Sequence, residues 1–513
     1  MRHDQLRIRW GNVLRAPGKD EKGITFRAAL ALVCFVSMAQ WSQGAFATAL
    51  IEPSIVPPSQ ADTISRLQSG IPRLMEQGDV PGLSIALISD GKIAWNHAFG
   101  VKHTSTGAPV TDETVFEAAS LSKPVFAYGV LKLADQGRID LDAPLSKYLP
   151  NYIEGDDRIN QITARMVLSH RTGFPNWRQG SSLKIYFTPG ERFSYSGEGF
   201  VYLGKVVERI TGEHLSDFLK SEVLAPLGMT NSSYVWLDEY NDLCATGHDE
   251  ARSPVLKSKP TAANPASSLH TTALDYSKFV IALINGSGLK PGTAREMLSP
   301  QVKLNPKCTN CILTPPADLS NSLAWGLGIG LELAPDDDWF WHWGDNGAFK
   351  CFVMASPKQK AGVVIFTDST YGLSIIPDIV DMAIGGQHPA LDWIKYDRYD
   401  SPTHRFLKEA LKNGADSAVR QAHADDDFSR ISQGQLNTIG YILLRHNLTK
   451  AAITVFDLNV RRWPDSSNVY DSLAEAYFAD GQKDLAIKNY QRSLDLDPGN
   501  QNAIRMLKKI EGK

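Results

Sequence analysis

Surplus charge is the first thing this chain lacks. Its 53 Lys and Arg against 56 Asp and Glu leave a formal net charge of −3 over 513 residues, and no basic run stands out. That balance excludes the electrostatic footprint of a nucleic-acid binder. Long apolar runs are scarce too. The stretch "AALALVCFVSMA" at residues 28–39 is too short to span a bilayer, and no other run is long and apolar enough, so no stable membrane span is expected. Only five cysteines occur. The "CTNC" of residues 308–311 has neither a second C-x-x-C nor an H-x-x-x-H beside it, which argues against zinc. It lies among "LNP" and "TPP" rather than at a helix start, and reads as a short-loop disulfide instead of a redox pair.

What is present fits an exported protein of two or three domains. Hydrophobic content of 43% and charged content of 21% are ordinary for a soluble globular chain. A positive stretch ending at Arg27, the apolar run, and small residues at Ala45 and Ala47 read as a signal peptide over residues 1–47. The chain is therefore expected in the periplasm or secreted, where a disulfide persists. Residues 48–60 read as a Pro-containing linker.

Residues 61–388 read as one α+β domain. A helical stretch near 63–76 precedes two strand-like runs at 81–100 that flank the hairpin dipeptide "DG". The middle is helical with long loops. Strands return as "LAWGLGIGLEL", "DWFWHWG", "AFKCFVMASP" and "GVVIFTDS", an antiparallel meander. Strands at both chain ends suggest a sheet closed by both, flanked by a helical region. From residue 389 to 513 the pattern is helical. Pro464 and Pro498 lie 34 residues apart, and at that offset Ile439 matches Leu473, Gly440 matches Ala474, and Phe456 matches Tyr490.

Chemistry centres on "SLSK". Ser120 and Lys123, three apart, share a helix face, and an amine beside a hydroxyl can take its proton. The same spacing recurs at Ser89–Lys92, Ser181–Lys184 and Ser287–Lys290, but those pairs fall in turns and loops. Only Ser120 is followed by a helix, and Pro124 is tolerable only in that helix's first turn. The serine then sits near a helix N-terminus, which favours developing negative charge. Ser122 faces away and is expected to act as a cap. Tyr195, in "RFSYSGEGF", and His342, in "WHWGDNGAF", are the further candidates for the acid and the strand-borne group that such a serine needs.

Together these segments resemble the β-lactamase-like serine hydrolases, a superfamily that includes class C β-lactamases, DD-peptidases, D-aminopeptidases and esterases. Its three motifs stand here as "SLSK", "YSG" and "HWG", with "LSHRTGFP" and "LAPLGMTNSSY" like the connecting text. The resemblance covers roughly residues 60–385 and implies a β-lactamase/DD-peptidase-like fold. It implies that Ser120 forms an acyl-enzyme while Lys123 and Tyr195 move the proton, either being the base. His342 would belong to the catalytic group. The backbone N–H groups of Ser120 and Asp345 would form the oxyanion hole, and Gly197, Trp343 and Gly344 would line the substrate site. No metal and no cofactor is needed. Gly197 replaces the family's amide-binding Asn, His342 is only partly charged at neutral pH, and Trp343 narrows the floor. These departures favour an esterase or peptidase acting on a small ester or amide over a dedicated β-lactamase. The repeats resemble tetratricopeptide repeats, which implies a protein partner through residues 435–505. A non-catalytic module binding cell-wall peptide is the competing reading.

Overall fold

The computed structural model describes residues 59–313, 318–334 and 337–512. The expected signal peptide at 1–47 and nearly all of the linker at 48–60 lie outside the described residues. Eleven strands occur among them: β1 Gly82–Ser89, β2 Lys92–His103, β3 Ala108–Pro109, β4 Phe116–Glu117, β5 His270–Thr271, β6 Val302–Lys303, β7 Leu323–Trp325, β8 Gly330–Glu332, β9 Trp339–Asp345, β10 Lys350–Ser356 and β11 Ala361–Thr367. Nine form one antiparallel sheet in the order β3-β2-β1-β11-β10-β9-β8-β7-β6, and β4 pairs with β5. The β1–β2 hairpin turns at Asp90 and Gly91, with φ of 53° and 68°, the pair of positive angles a two-residue turn requires. β1 then pairs with β11, Leu83 opposite Thr367, so both ends of the domain meet in mid-sheet.

Alternation along the strands builds two cores. Ala86 and Ile88 of β1, Val353 of β10 and Phe366 of β11 face a layer of helices that includes Ser122–Asp135, Gly197–Thr211 and Ala273–Asn285. Leu83, Ile85, Phe352 and Ile365 face the other way, onto helices Gln60–Gln77 and Ile376–Ile384. Each fully buried aliphatic or aromatic side chain contributes roughly 1.5–3 kcal/mol. Although the helical tail was expected from residue 389, Ala390 and Trp393 belong to this second core.

A separate core begins at Phe406. Helices Gln433–Arg445 and Thr449–Arg462 are followed by Ser467–Ala479 and Lys483–Leu496, so the starts recur at the same offset as the sequence pattern. Gly440 is required there: a Cβ would lie 2.4 Å from the Phe456 ring. Ion pairs join the tail to the sheet domain, Lys408 to Asp79 at 2.8 Å and Arg445 to Glu250 at 2.7 Å.

Candidate active site

Ser120 lies in a single 3₁₀ turn, Ala119–Leu121, that runs directly into the helix Ser122–Asp135. Ala119 holds φ at 47°, a left-handed conformation a non-glycine residue adopts only where its surroundings enforce it. Those surroundings are hydrogen bonds. Tyr276 donates to Leu121 O at 3.0 Å and Tyr234 to Ser122 O at 2.6 Å. Ser122 is not a helix cap, as its spacing suggested. Its buried hydroxyl donates to Ala119 O at 2.6 Å and accepts from Leu269 N at 2.9 Å, tying the turn to the residue before β5.

Lys123 is fully buried, and its Nζ is hydrogen-bonded to Ser120 Oγ at 2.9 Å and to Ala266 O at 2.8 Å. Among the described residues no carboxylate pairs with it. Desolvation alone lowers its pKa to about 7, so a large fraction of the amine is uncharged near neutrality. Such an amine can accept the serine proton.

Tyr195 reaches the same place from the loop before helix Gly197–Thr211, its ring centre 4.8 Å from Lys123 Nζ. Its backbone N–H donates to Thr309 O at 3.0 Å, inside the loop closed by the Cys308–Cys311 disulfide. The buried hydroxyl completes no well-formed hydrogen bond. Burial drives its pKa well up, with only Ser120 opposing, so it keeps its proton.

His342 and Gly344 project from β9 toward the Ser120 side, because strand alternation sends Trp341 and Trp343 into the opposite core. Gly344 permits the approach: a Cβ there would lie 2.5 Å from Ala118 O and 2.3 Å from Cys351 Sγ. His342 is completely buried, with Nδ1 2.7 Å from Trp343 O. Burial and then the nearby Lys123 push its pKa down to about 3, which corrects the expected partial charge: this imidazole is neutral at pH 7. Trp343 does not form a cleft floor. It is 9% exposed and packs behind Tyr195, ring centres 5.0 Å apart. Gly197 is covered by an indole, since a Cβ would lie 2.7 Å from the Trp177 ring, and its N–H donates to Asn176. Asp345 ends β9 with its carboxylate paired to Lys350.

Sequence reasoning missed His170, although it stands in the quoted segment "LSHRTGFP", and Trp177, two residues beyond that segment. His170, φ 54°, stacks on Tyr195 with centres 4.3 Å apart and accepts from Ser196 N at 3.0 Å. Burial pushes it well below its ordinary pKa, helped by Lys123 and His342. It orients the tyrosine as an uncharged ring. Among the described residues, no cluster of His, Cys, Asp and Glu has the arrangement to hold a metal ion.

Comparison with known proteins follows this geometry. A family model described as "Beta-lactamase" matches residues 67–377, more than half of the chain. Protein flp of Staphylococcus aureus (strain N315) is 24% identical over 329 residues, covering 60% of this chain and 63% of that protein, so the chain spans less than two thirds of that relative's length. Penicillin-binding protein 4 of Amycolatopsis lactamdurans is 24% identical over 61% of this chain and 87% of its own. A solved class C beta-lactamase superposes with a TM-score of 0.56 at 18% identity, covering 65% of this chain and 98% of that one.

Proposed function

We infer that this chain, which belongs to the β-lactamase family and has the β-lactamase/DD-peptidase-like fold, is a serine hydrolase cleaving a small ester or amide through an acyl-enzyme on Ser120. One observation carries the reading: a buried lysine that pairs with no carboxylate among the described residues and is hydrogen-bonded at 2.9 Å to the hydroxyl at the head of a helix.

In this mechanism uncharged Lys123 takes the Ser120 proton as Oγ attacks the substrate carbonyl. The N–H groups of Ser120 and Asp345 stabilise the oxyanion. Tyr195, still protonated, passes its proton to the leaving group and is reprotonated by the Lys123 ammonium, and Lys123, uncharged again, then takes a proton from the water that releases the acid. His342 and His170 are uncharged, Lys123 is about half charged at pH 7, and Lys350 is committed to Asp345. β-Lactams and peptides ending in a free carboxylate bring an anion, and none of these four residues offers it a permanent, uncommitted cation. This favours an uncharged ester over either. A non-catalytic cell-wall-peptide module is disfavoured because such a module has no use for an amine at this pKa beside a serine.

Export to the periplasm or medium is part of the proposal, supported by the N-terminal pattern and compatible with the Cys308–Cys311 disulfide. The helices from 435 to 505 are proposed as tetratricopeptide-like repeats that bind a protein partner, supported by the 34-residue recurrence. The reading is tested by turnover of short-chain p-nitrophenyl esters, a D-alanyl-D-alanine peptide, D-amino-acid amides and a chromogenic cephalosporin, with Ser120→Ala as control. Expected is ester turnover that the control lacks. Faster turnover of the cephalosporin or the peptide would replace the ester assignment, and turnover that survives in Ser120→Ala would remove the mechanism.

A further inference from the structure

Asp345 carries an electrostatic conflict. In the proposed reaction its backbone N–H receives an oxyanion, yet its side chain is a carboxylate, and a negative charge a few ångströms away opposes the charge that must develop. Both oxygens of that carboxylate are occupied. Oδ1 accepts from Gly347 N at 2.8 Å and pairs closely with Lys350, whose side chain is 6% exposed. Oδ2 accepts from the Tyr396 hydroxyl at 2.6 Å. The Tyr396 ring also lies under Lys350, with Nζ 5.5 Å from its centre.

Tyr396 stands outside the region matched by the family model, which ends at residue 377. Three features deliver it. Helix Pro389–Ile394 buries Trp393, whose indole N–H donates to Asn305 O at 2.7 Å and whose ring centre is 5.9 Å from that of Trp343. Lys395, with φ 57°, turns the chain sharply at the helix end and donates to Lys307 O. Asp397 then accepts from Gln435 in the helical tail at 3.3 Å. The phenol thus reaches β9 from the joint between the two parts of the molecule. Burial and the adjoining carboxylate both hold its proton in place, which suits a permanent donor.

We propose that Tyr396 is a positioning residue for the reaction: with Lys350 it holds and masks the Asp345 carboxylate, so that the oxyanion forms beside a neutralised group. This rests on the Ser120 hydrolase reading and adds a dependence on the C-terminal segment.

The test uses the full chain and an alkyl fluorophosphonate, which builds negative charge on a phosphoryl oxygen when Ser120 attacks phosphorus and fluoride leaves. Labelling of the parent at Ser120 comes first; its failure overturns the hydrolase reading and this proposal with it. In a labelled parent, Tyr396→Phe is expected to lower kinact about tenfold with KI within about twofold, because the lost contact matters to the transition state. In an Asp345→Asn background the same change is expected to alter kinact less than about twofold, since no charge remains to mask. Lys350→Met should behave alike, which keeps the test open if one variant folds poorly by thermal melting. An unchanged kinact in Tyr396→Phe, an effect confined to KI, or an equal loss with and without the Asp345 charge would each overturn the proposal while leaving the Ser120 reading in place.

Discussion

Two lysines separate the two halves of this molecule. Lys123 is wholly buried and faces a serine, a carbonyl and aromatic rings, and its pKa falls to about 7. Lys408 lies at the seam between the helical tail and the sheet domain, with its side chain 38% exposed and an Asp79 carboxylate at 2.8 Å. The same side chain becomes a base in one setting and a fastening in the other. Desolvation without a counter-charge creates reactivity, whereas pairing in partial solvent creates a modest adhesion. His170 and His342 beside Ser120 follow the first rule, and Arg445 with Glu250 at the seam follows the second.

The sharpest way to break this contrast is Lys123→Met. Without its base the enzyme should lose about a thousandfold or more in kcat. Stability should move the other way. Between pH 7 and pH 10.5 the unfolded chain holds a lysine proton that the folded chain releases, so burying Lys123 destabilises the fold at neutral pH and the penalty fades as pH rises toward 10.5. The variant is therefore expected to melt above the parent at pH 7, by a margin that narrows toward pH 10. A variant melting several degrees lower would contradict the account of Lys123 as a desolvated, uncompensated amine.

The pH dependence of turnover should show the same group. With the base active when uncharged, kcat/KM rises with pH to a plateau, with its midpoint at about 7. His342 and His170 are already neutral there and add no further step in that range. A profile that is flat from pH 6 to 8, or one that falls, would assign the proton to another group.

Smaller effects are expected where the pocket is supported from outside. Replacing Cys308 and Cys311 by serine frees the loop whose Thr309 carbonyl accepts from Tyr195 N. Opening so short a loop removes about 2 kcal/mol of stability and should lower kcat a few-fold through a less well-held Tyr195; an unchanged kcat would show that the loop only adds stability. At the seam, Arg445→Ala breaks a pair with Glu250 whose arginine is 43% exposed. Less than about 1 kcal/mol of stability is expected to be lost, and the loss should shrink in high salt. A larger loss would make the seam a structural core.

What could be read from the sequence was local. Ser120 and Lys123 are three residues apart on one turn, so spacing and Pro124 sufficed to place them. The hairpin at Asp90–Gly91 and the late meander were legible because turn chemistry and alternation act over a few residues. Tyr195 and His342 needed the resemblance, since nothing local distinguishes them from packed aromatic and strand residues. The rest lies in packing between distant segments. His170 stacks on Tyr195 across 25 positions of sequence, Trp177 covers Gly197 across a loop, and Tyr396 reaches Asp345 from a segment assigned to the tail. Charge state was equally hidden: complete burial, not residue type, makes His342 neutral, and no pattern announces it.

The most direct measurement is intact mass and peptide mapping of the purified chain after exposure to an alkyl fluorophosphonate over a pH series. A single adduct on Ser120, forming faster as pH rises through about 7 and absent in Lys123→Met, is the predicted result. A folded chain that takes no adduct, or takes it on another residue, would contradict the claim that Lys123 activates Ser120.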